Sequence, residues 1–291
     1  MRIVDILRGK AKPTVSFELF PARTPKAAAA QALAIDELAA LAPDFVSVTF
    51  GAGGSTREGS HALVQSLRAR GLETLAYLAG YGLAPATLGE IADAYRALGV
   101  DNVLAVRGDR PEDAAFVPQA DAPAHASDLL ALLAARTPFC LGAAAYPEGH
   151  REAANFAADV DFLRLKVERG AAFLISQYGY LEGKFAALVQ ACRRAGIGVP
   201  IVAGVMPIFS IKMMESLAAL CGATIPADLR AGLAGLPADD AEALIQFGVE
   251  LAVKQCRELV AAGAAGLHFY TMNKSRSAVA IVRALRAEGL V

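Results

Sequence analysis

The sequence predicts a single-domain (β/α)8 barrel spanning residues 1–291. Short apolar runs alternate with Ala/Leu-rich helical segments about eight times along the chain, which is the pattern of successive βαβ units. Near-continuous hydrophobic runs such as NVLAV and PIVAG are typical of strands buried on both faces of a parallel sheet. The glycine-rich segment 51–54 does not complete a GxGxxG dinucleotide fingerprint, because Thr56 occupies the last position. A closed barrel is therefore favoured over an open doubly wound sheet.

Each predicted strand is followed by a helical segment. In chain order the strands cover residues 14–19, 45–50, 73–78, 102–106, 139–145, 172–177, 199–203 and 266–270. Thr24 before Pro25 predicts a helix start, because threonine caps helices and proline fits their first turn. The Ser-x-x-Glu segment 55–58 and the Thr-x-x-Glu segment 87–90 are predicted capping boxes.

The composition excludes several classes of protein. Hydrophobic residues make up 55% and charged residues 20% of the chain, which suits a large buried core and argues against disorder. A formal net charge of −1 provides no overall field for nucleic acid or an anionic membrane, so neither is an expected partner. No apolar signal-peptide core follows Met1, and the longest uncharged stretch contains glycines and prolines, so a cytoplasmic protein is expected.

The cysteines are widely spaced and form no CxxC pair. They are Cys140, Cys192, Cys221 and Cys256. Buried thiols in a reducing compartment are therefore expected rather than a disulfide framework. No spacing of histidine, aspartate or glutamate is typical of a metal site, so no metal is predicted. Cys140 falls at the beginning of a predicted strand, away from the expected site, so no thiol nucleophile is predicted either.

In a barrel of this type the active site lies at the carboxyl ends of the strands. Polar residues follow almost every predicted strand at that end, and their coincidence carries more weight than any one of them. They include Glu18, Thr49, Tyr77, Arg107, Asp109, Tyr146, His150, Gln177, His268, Tyr270, Asn273 and Lys274. The long loop from Gly108 to about Ala124 also lies on this side and is a common place for function.

Four of these positions suggest chemistry. Glu18 has apolar neighbours that should raise its pKa and suit it to general acid catalysis, although a strand-end glutamate can also pair with a cation. Arg107 with Asp109 can hold an anionic cofactor beside a developing cation, or can form an internal pair that closes a loop. Gln177 ends a buried strand and needs a partner, from a ligand or from the protein. With no metal expected, this set suits a reaction whose difficult step belongs to an organic cofactor.

Several segments, in this order, resemble the methylenetetrahydrofolate reductase family. They read SFELFP from Ser16, VSVTFGAGGS from Val46, VRGD from Val106, AYPEGH from Ala145, ISQY from Ile175 and HFYTMN from His268. The resemblance covers essentially the whole chain, from about Val15 to Ala284, and the length is that of a bacterial-type catalytic barrel.

The resemblance implies a flavin-dependent reaction. Bound FAD takes hydride from NADH or NADPH, and the reduced flavin passes hydride to 5,10-methylenetetrahydrofolate to give 5-methyltetrahydrofolate in a ping-pong scheme. Such an enzyme serves one-carbon metabolism and methionine biosynthesis. The family forms homo-oligomers, so a homo-oligomer is expected. Its partners would be the folate substrate and NAD(P)H.

The resemblance also implies roles for matching residues. Glu18 would be the general acid that opens the imidazolidine ring to an iminium, and Asp109 would stabilise that cation and tune the flavin. Gln177 and Lys274 would contact the folate, with Glu18 and Asp109, and Phe209 lies in a loop near the substrate. FAD would be held by residues at matching positions, namely Thr49, Tyr77, Arg107, Gly108, Asp109, Ala126, Tyr146, His150, Asp159 and Lys166. Arg107 and Lys166 are candidates for the pyrophosphate charge.

The sequence departs from the family pattern in two places. Tyr77-Leu78-Ala79-Gly80 stands where the family usually reads His-Leu-Thr-Cys, so the flavin contact at Tyr77 would differ. Lys274 stands where arginine is common, and lysine cannot form a bidentate fork with a carboxylate. Alternative hypotheses are a family member that acts on another one-carbon pterin, one that takes electrons from a protein partner, and a non-catalytic flavin- or folate-binding subunit.

Overall fold

A computed structural model describes residues 1–50, 57–110, 116–136, 138–237 and 240–291. Eight parallel strands close into a barrel in the order β1 to β8, and helices alternate with them, which confirms the predicted (β/α)8 fold. The strands are β1 Thr14–Leu19, β2 Phe45–Val48, β3 Thr74–Ala79, β4 Asn102–Val106, β5 Cys140–Ala145, β6 Ala171–Ser176, β7 Ile201–Val205 and β8 Gly266–Tyr270. The predicted bounds of β1, β4 and β8 are the same as those observed, and the others differ at one or both ends.

The helices in the described part of the chain lie around the barrel, apart from the first. They are α1 Ile3–Gly9, α2 Pro25–Ala39, α3 Arg57–Ala69, α4 Pro85–Ala97, α5 Ala126–Arg136, α6 Phe156–Glu168, α7 Lys184–Arg194, α8 Ile211–Cys221, α9 Ala227–Ala234, α10 Ala241–Ala261 and α11 Arg276–Ala287. Among the described helices, none is both long enough and apolar enough to cross a membrane.

The helix starts test the predicted caps. Thr24 caps α2 as predicted, since its hydroxyl accepts a hydrogen bond of 3.1 Å from the backbone N–H of Ala27. The predicted capping box at 87–90 is wrong. Ala84 occupies the N-cap of α4 without a side-chain bond, because Pro85 begins the helix and places Thr87 inside its first turn. Ser55 of the other predicted box lies outside the described residues.

Strand side chains alternate between two apolar layers. One layer lies inside the barrel and includes Phe45, Leu75 and Phe173, which are fully buried. The other lies between the barrel and its helices. At the amino ends of the strands, α1 closes the barrel interior with Ile3 and other apolar residues, and the N–H of Ile3 donates to Asn102 Oδ1 at 2.7 Å. The end available to a ligand is therefore the carboxyl end.

A third apolar cluster covers part of that carboxyl end. Tyr178 and Tyr180, which follow β6, and Met206, which follows β7, pack in it against Leu229 and Leu233 of α9. This cluster extends the wall of the barrel on the β6–β7 side.

Candidate active site

Glu18 lies at the carboxyl end of β1 with its side chain directed into the barrel mouth. In strand register it stands beside Ser47 of β2 and Tyr270 of β8. Burial raises the pKa of the Glu18 carboxyl to about 7, and a hydrogen bond with the side chain of Tyr77 opposes that rise. The apolar neighbours in the sequence correctly predicted this direction. A carboxyl group with such a pKa can give or take a proton near neutral pH.

Tyr270 forms a floor beneath the mouth. Its hydroxyl donates to the carbonyl oxygen of Ser176 at 3.0 Å, so the side chain reaches from β8 to β6. Gly204 of β7 makes room for it, since a Cβ there would lie 2.7 Å from the Tyr270 ring and 2.3 Å from the Ser176 oxygen. Burial holds the pKa of Tyr270 well above its usual value, so the hydroxyl stays protonated.

The segment after β8 joins the last strand to the first. The Thr271 hydroxyl donates to the carbonyl oxygen of Glu18 at 2.6 Å. The Asn273 side chain accepts from the N–H of Phe20 at 3.1 Å and donates to its carbonyl at 2.8 Å. Met272 and Asn273 have φ values of 50° and 55°, in the left-handed region that few non-glycine residues adopt, and these bonds hold them there.

A cleft of about 220 Å³ opens beside the ends of β4 and β5, between them and helices α5 and α6. Most of the predicted cofactor residues meet there, namely Arg107, Ala126, Tyr146, His150, Asp159 and Lys166. They come from four separate segments of the chain, so the fold and not the sequence places them together. The lining also includes residues that the sequence analysis missed, namely His125, Glu152 and Phe162.

The inner wall of this cleft carries one partly buried cation and one buried carboxylate. Lys166 Nζ donates to the carbonyl of Ala144 at 2.9 Å and forms no salt bridge with any described residue. Burial lowers its pKa. Asp159 is 2% exposed and accepts from the N–H of His150 at 3.1 Å, while burial raises its pKa. Asp159 acts on Lys166 through space and partly opposes the lowering of the Lys166 pKa, but no described carboxylate lies within salt-bridge distance. Lys166 therefore has capacity for a direct anionic partner.

Two aromatic rings support this arrangement. The rings of Tyr146 and His150 meet edge to face with centroids 4.7 Å apart, and Lys166 Nζ lies 5.8 Å from the Tyr146 centroid. Burial raises the pKa of Tyr146 to about 12 and lowers the pKa of His150, so both side chains are neutral near pH 7.

Arg107 is paired across the cleft. Its guanidinium donates to the Glu152 carboxylate at 2.5 and 2.9 Å in a bidentate arrangement, and this hydrogen bonding lowers the pKa of Glu152 to about 2. The internal Arg107–Asp109 pair considered from the sequence is not formed, because Arg107 turns toward Glu152, and Asp109 is exposed at the mouth.

The remaining predicted residues lie outside this cleft. Thr49 is 9% exposed at the end of β2, and within the described part of the chain its hydroxyl has no hydrogen-bond partner. Gly108 has a φ of 86°, and a Cβ on it would lie 2.9 Å from the Cβ of Ala79. Tyr77 lies inside the barrel against Glu18. Gln177 accepts from the N–H of Tyr178 at 3.0 Å, so one of its amide atoms is used by the protein.

Lys274 lines a second groove, of about 380 Å³, near the start of α11. Its Nζ lies 5.2 Å from the ring centroid of Phe209, a cation–π contact. The side chain of Leu33 on α2 also faces this groove and is 69% exposed. A ligand with an aromatic part and an anionic end would match an apolar wall that ends in a cation.

Helical spacing could have revealed one of the missed residues. Phe162 lies on α6, three positions after Asp159 and four before Lys166, so all three share one face of the helix. Phe162 is 53% exposed, which is unusual for a phenylalanine and provides an apolar surface at the outer edge of the cleft. No comparable signal existed for Glu152, which pairs with Arg107 across a loop.

Among the described residues, no group of three His, Cys, Asp or Glu side chains is placed to hold a metal ion. Of the described carboxylates near the mouth and the cleft, Glu18 has a hydrogen bond with Tyr77, Asp159 accepts from a backbone N–H, and Glu152 is paired with Arg107. The arrangement as a whole offers one proton-transferring carboxyl and a separate cation-lined cleft. That combination suits an organic cofactor with anionic groups held beside the substrate site.

Comparison with known proteins identifies the family. A profile described as methylenetetrahydrofolate reductase matches residues 2–286. The chain belongs to the methylenetetrahydrofolate reductase family. It is 35% identical over 273 residues to the 5,10-methylenetetrahydrofolate reductase of Escherichia coli K12, covering 93% of this chain and 90% of that protein. This family membership confirms the resemblance drawn from the motifs.

Other relatives are plant and fungal proteins of the same family. Methylenetetrahydrofolate reductase (NADH) 1 of Arabidopsis thaliana is 31% identical over 298 residues, covering 97% of this chain and 50% of the plant protein. Among solved structures, a Clostridium thermocellum protein that binds 5-methyl-5,6,7,8-tetrahydrofolic acid superposes with a TM-score of 0.68. It is 16% identical and covers 98% of both chains, so it shows the shared barrel fold.

Proposed function

We propose that this methylenetetrahydrofolate reductase family member uses bound FAD to reduce 5,10-methylenetetrahydrofolate to 5-methyltetrahydrofolate, with NADH or NADPH as electron donor. The observation that carries the proposal is the meeting of Arg107, Tyr146, His150, Asp159 and Lys166 in one cleft beside the mouth that holds Glu18. The names of the bacterial and plant relatives support the substrate, and the plant names support a nicotinamide donor.

The residues of the cleft fit FAD. Lys166 supplies a cation that forms no salt bridge with a described carboxylate, at the inner wall where a pyrophosphate would lie. The first turn of α5, which begins at Ala126, adds backbone N–H groups at the positive end of a helix. Phe162 offers an aromatic surface at the outer edge for the adenine ring. The hydroxyl of Thr49, which has no hydrogen-bond partner among the described residues, lies at the mouth, where a flavin ring would provide acceptors and donors.

Bound FAD would supply hydride acceptance from the nicotinamide and hydride donation to the folate. The chain's own contribution to the folate step is a proton. With its pKa near 7, Glu18 is partly protonated at neutral pH and can protonate the folate nitrogen that leaves as the imidazolidine ring opens to an iminium. Asp109, exposed at the mouth, would stabilise the cation formed on the folate.

Substrate orientation would come from residues on two sides of the mouth. Gln177 keeps amide capacity beyond its bond to the N–H of Tyr178 and would contact the pterin. Lys274 beside Phe209 would take the aromatic ring and carboxylate tail of the folate in the second groove. We further propose that the enzyme works in the cytoplasm as a homo-oligomer, a state that light scattering of the purified protein measures.

An absorbance spectrum followed by anaerobic half-reactions tests the proposal. The purified protein, reconstituted with FAD, should show a flavin spectrum that bleaches with NADH or NADPH and recovers when 5,10-methylenetetrahydrofolate is added. If neither NADH nor NADPH reduces the flavin, but a chemically reduced flavin is reoxidised by the folate, the electron donor is a protein instead. Absence of flavin binding after reconstitution would reject the proposed function.

A further inference from the structure

The turn between β8 and α11 has a backbone conformation that few side chains favour. It comprises Thr271 to Lys274, and we call it the β8 turn. Its two central residues, Met272 and Asn273, have φ values of 50° and 55°. The N–H of Lys274 closes the turn by donating to the carbonyl of Thr271 at 2.8 Å, and the N–H of Asn273 donates to the Thr271 hydroxyl at 3.2 Å. The four residues therefore hold one another in place.

Side chains of the β8 turn hold the backbone of β1 at the end that carries Glu18. Thr271, which is fully buried, donates from its hydroxyl to the carbonyl of Glu18 at 2.6 Å. The Asn273 amide forms two bonds with Phe20, accepting from its N–H at 3.1 Å and donating to its carbonyl at 2.8 Å. Because Asn273 uses both ends of its amide on one residue, it fixes the orientation of that residue as well as its distance. The backbone on either side of Leu19 therefore follows the turn.

The β8 turn also forms part of the second groove. Asn273 and Lys274 line this groove together with Phe209, whose ring centroid lies 5.2 Å from Lys274 Nζ. Of the two cations among the described lining residues, Arg276 is paired with Glu242 through both carboxylate oxygens, and Lys274 forms no salt bridge with a described residue. Lys274 is therefore the cation that this lining offers to an anionic ligand, and a ligand that reaches it also meets Asn273.

We propose that Asn273 is a positioning residue that couples occupancy of the second groove to the placement of Glu18. This coupling in turnover rests on the proposed function, which makes Glu18 the acid and puts the aminobenzoate and glutamate part of the folate in the groove. A ligand on Lys274 restricts the β8 turn, and the Asn273 amide passes that restriction to Phe20 and so to the end of β1. Binding energy from a part of the substrate that does not react is thereby used to place the acid, which raises the rate constant of the folate step and not only the affinity.

Two glycine substitutions separate the hydrogen bonds of Asn273 from the conformation of the turn. Asn273→Gly removes both bonds with Phe20 and keeps the positive φ, which glycine adopts without strain. Met272→Gly is the matched control, since it removes the other side chain that has a positive φ and leaves the Asn273 bonds intact. It also gives up packing against the cluster that includes Tyr178 and Met206, so it shows what a general loosening of the turn does.

Hydrogen exchange of the Phe20 amide measures the coupling without catalysis and without bound flavin. The probe is para-aminobenzoyl-glutamate, the part of the folate that carries the aromatic ring and the carboxylates. In the folded parent, saturating probe should slow exchange at the Phe20 N–H about 10-fold, as measured by NMR of isotope-labelled protein. The same slowing is expected in Met272→Gly. In Asn273→Gly the Phe20 N–H has lost its acceptor, so its exchange should be faster from the start and should not respond to the probe.

A truncated substrate measures the same coupling during the reaction. In anaerobic single turnovers at saturating substrate, 5,10-methylenetetrahydropteroate, which lacks the glutamate, should reoxidise the reduced flavin of the parent about 10-fold more slowly than 5,10-methylenetetrahydrofolate. In Asn273→Gly the rate constant with the complete substrate should fall to that level, and truncation should then change it less than about 2-fold. Met272→Gly should keep the full effect of truncation. A merely structural role for Asn273 would slow both substrates by one factor and keep their ratio.

An equal truncation effect in the parent and in Asn273→Gly, or a Phe20 amide that does not respond to the probe in the parent, would overturn the coupling. If Asn273→Gly fails to fold, Asn273→Asp serves instead, since it keeps the bond from the Phe20 N–H and loses the bond to the carbonyl. Its truncation effect should be smaller than that of the parent, and an unchanged effect would overturn the coupling.

The two measurements also distinguish this coupling from the proposed function. Slowed exchange at Phe20 in a protein that reduces no folate would leave the coupling standing and reject the proposed reaction. Normal folate reduction in a protein whose Phe20 amide does not respond to the probe would do the reverse.

Discussion

Tyr270 and Gly204 are matched in size across the barrel, because the ring of the tyrosine occupies the space that a side chain at the glycine would fill. The pair lets Tyr270 reach the carbonyl of Ser176 and form the floor of the mouth. The floor therefore depends on Gly204, a position without a side chain. A substitution there should lower the free energy of unfolding of the protein even when no ligand is bound.

Gly204→Ala is expected to destabilise the protein by about 1–3 kcal/mol, since the new methyl group would overlap the Ser176 oxygen and the Tyr270 ring. Urea denaturation measures the change in the free energy of unfolding. Gly198→Ala is the matched control, because a Cβ there meets nothing within 4 Å. Equal stability of the two variants would contradict the packing described here.

The Glu18 carboxyl should make stability depend on pH. Its pKa is about 7 in the folded protein against an ordinary 4.5, so the folded state binds the proton more tightly and loses stability as pH rises through that window. Glu18→Gln should therefore be more stable than the parent at pH 8, by on the order of 2 kcal/mol, with the difference vanishing near pH 4. Chemical denaturation at several pH values provides the measurement.

The Glu18→Gln variant should also show the effect of His268 on stability, which has the opposite dependence on pH. The pKa of that imidazole is about 3 when folded against an ordinary 6.5, so its contribution is complete above pH 6.5 and is lost as pH falls toward 3. In the parent protein the two groups oppose each other between pH 4.5 and 6.5. In Glu18→Gln the free energy of unfolding should instead fall by about 1.4 kcal/mol for each pH unit by which the pH is lowered in this range. A free energy of unfolding that does not change with pH would show that His268 is not neutral when folded.

Lys166→Met is expected to weaken FAD binding about 100-fold, because it removes the cation of the cleft that forms no salt bridge with a described residue. Flavin fluorescence titration of the apoprotein gives the Kd. Arg164→Met is the control on the same helix, since Arg164 is 52% exposed and pairs with Asp161 and Glu168 at the surface. A similar loss in both variants would point to helix damage rather than to a cofactor contact.

Glu152→Gln should tighten FAD binding several-fold. The carboxylate of Glu152 engages Arg107 at 2.5 Å and adds negative charge to a cleft proposed for a pyrophosphate. Removing that charge frees the guanidinium, and the gain should shrink as salt is added. Glu168→Gln, on the outer side of α6, should leave the Kd unchanged. Weaker binding in Glu152→Gln would mean that the Arg107–Glu152 pair orders the site instead of competing for it.

The fold, and the end of the barrel at which the candidate site residues lie, could be predicted from the sequence because both follow from local patterns. Buried strands read as continuous apolar runs, and parallel strands bring their ends together whatever connects them. The partners of individual side chains could not be predicted in this way. Arg107 pairs with Glu152 across a loop and not with nearby Asp109, and the Tyr77 side chain lies inside the barrel near Glu18. Such choices depend on rotamers and on neighbours far apart in the chain.

Hydrogen bonds join β1 to the segment that follows β8, and they determine when during synthesis the site can form. Thr271 holds the carbonyl of Glu18, and Asn273 holds Phe20, across sequence separations of 253 residues in both cases. During synthesis Glu18 therefore leaves the ribosome long before Thr271 and Asn273, the residues that bond to β1 and to the residue after it. The site is completed only after β8 and the residues that follow it have been made, and nascent chains that stop before β8 lack the hydrogen bonds that orient the strand of Glu18.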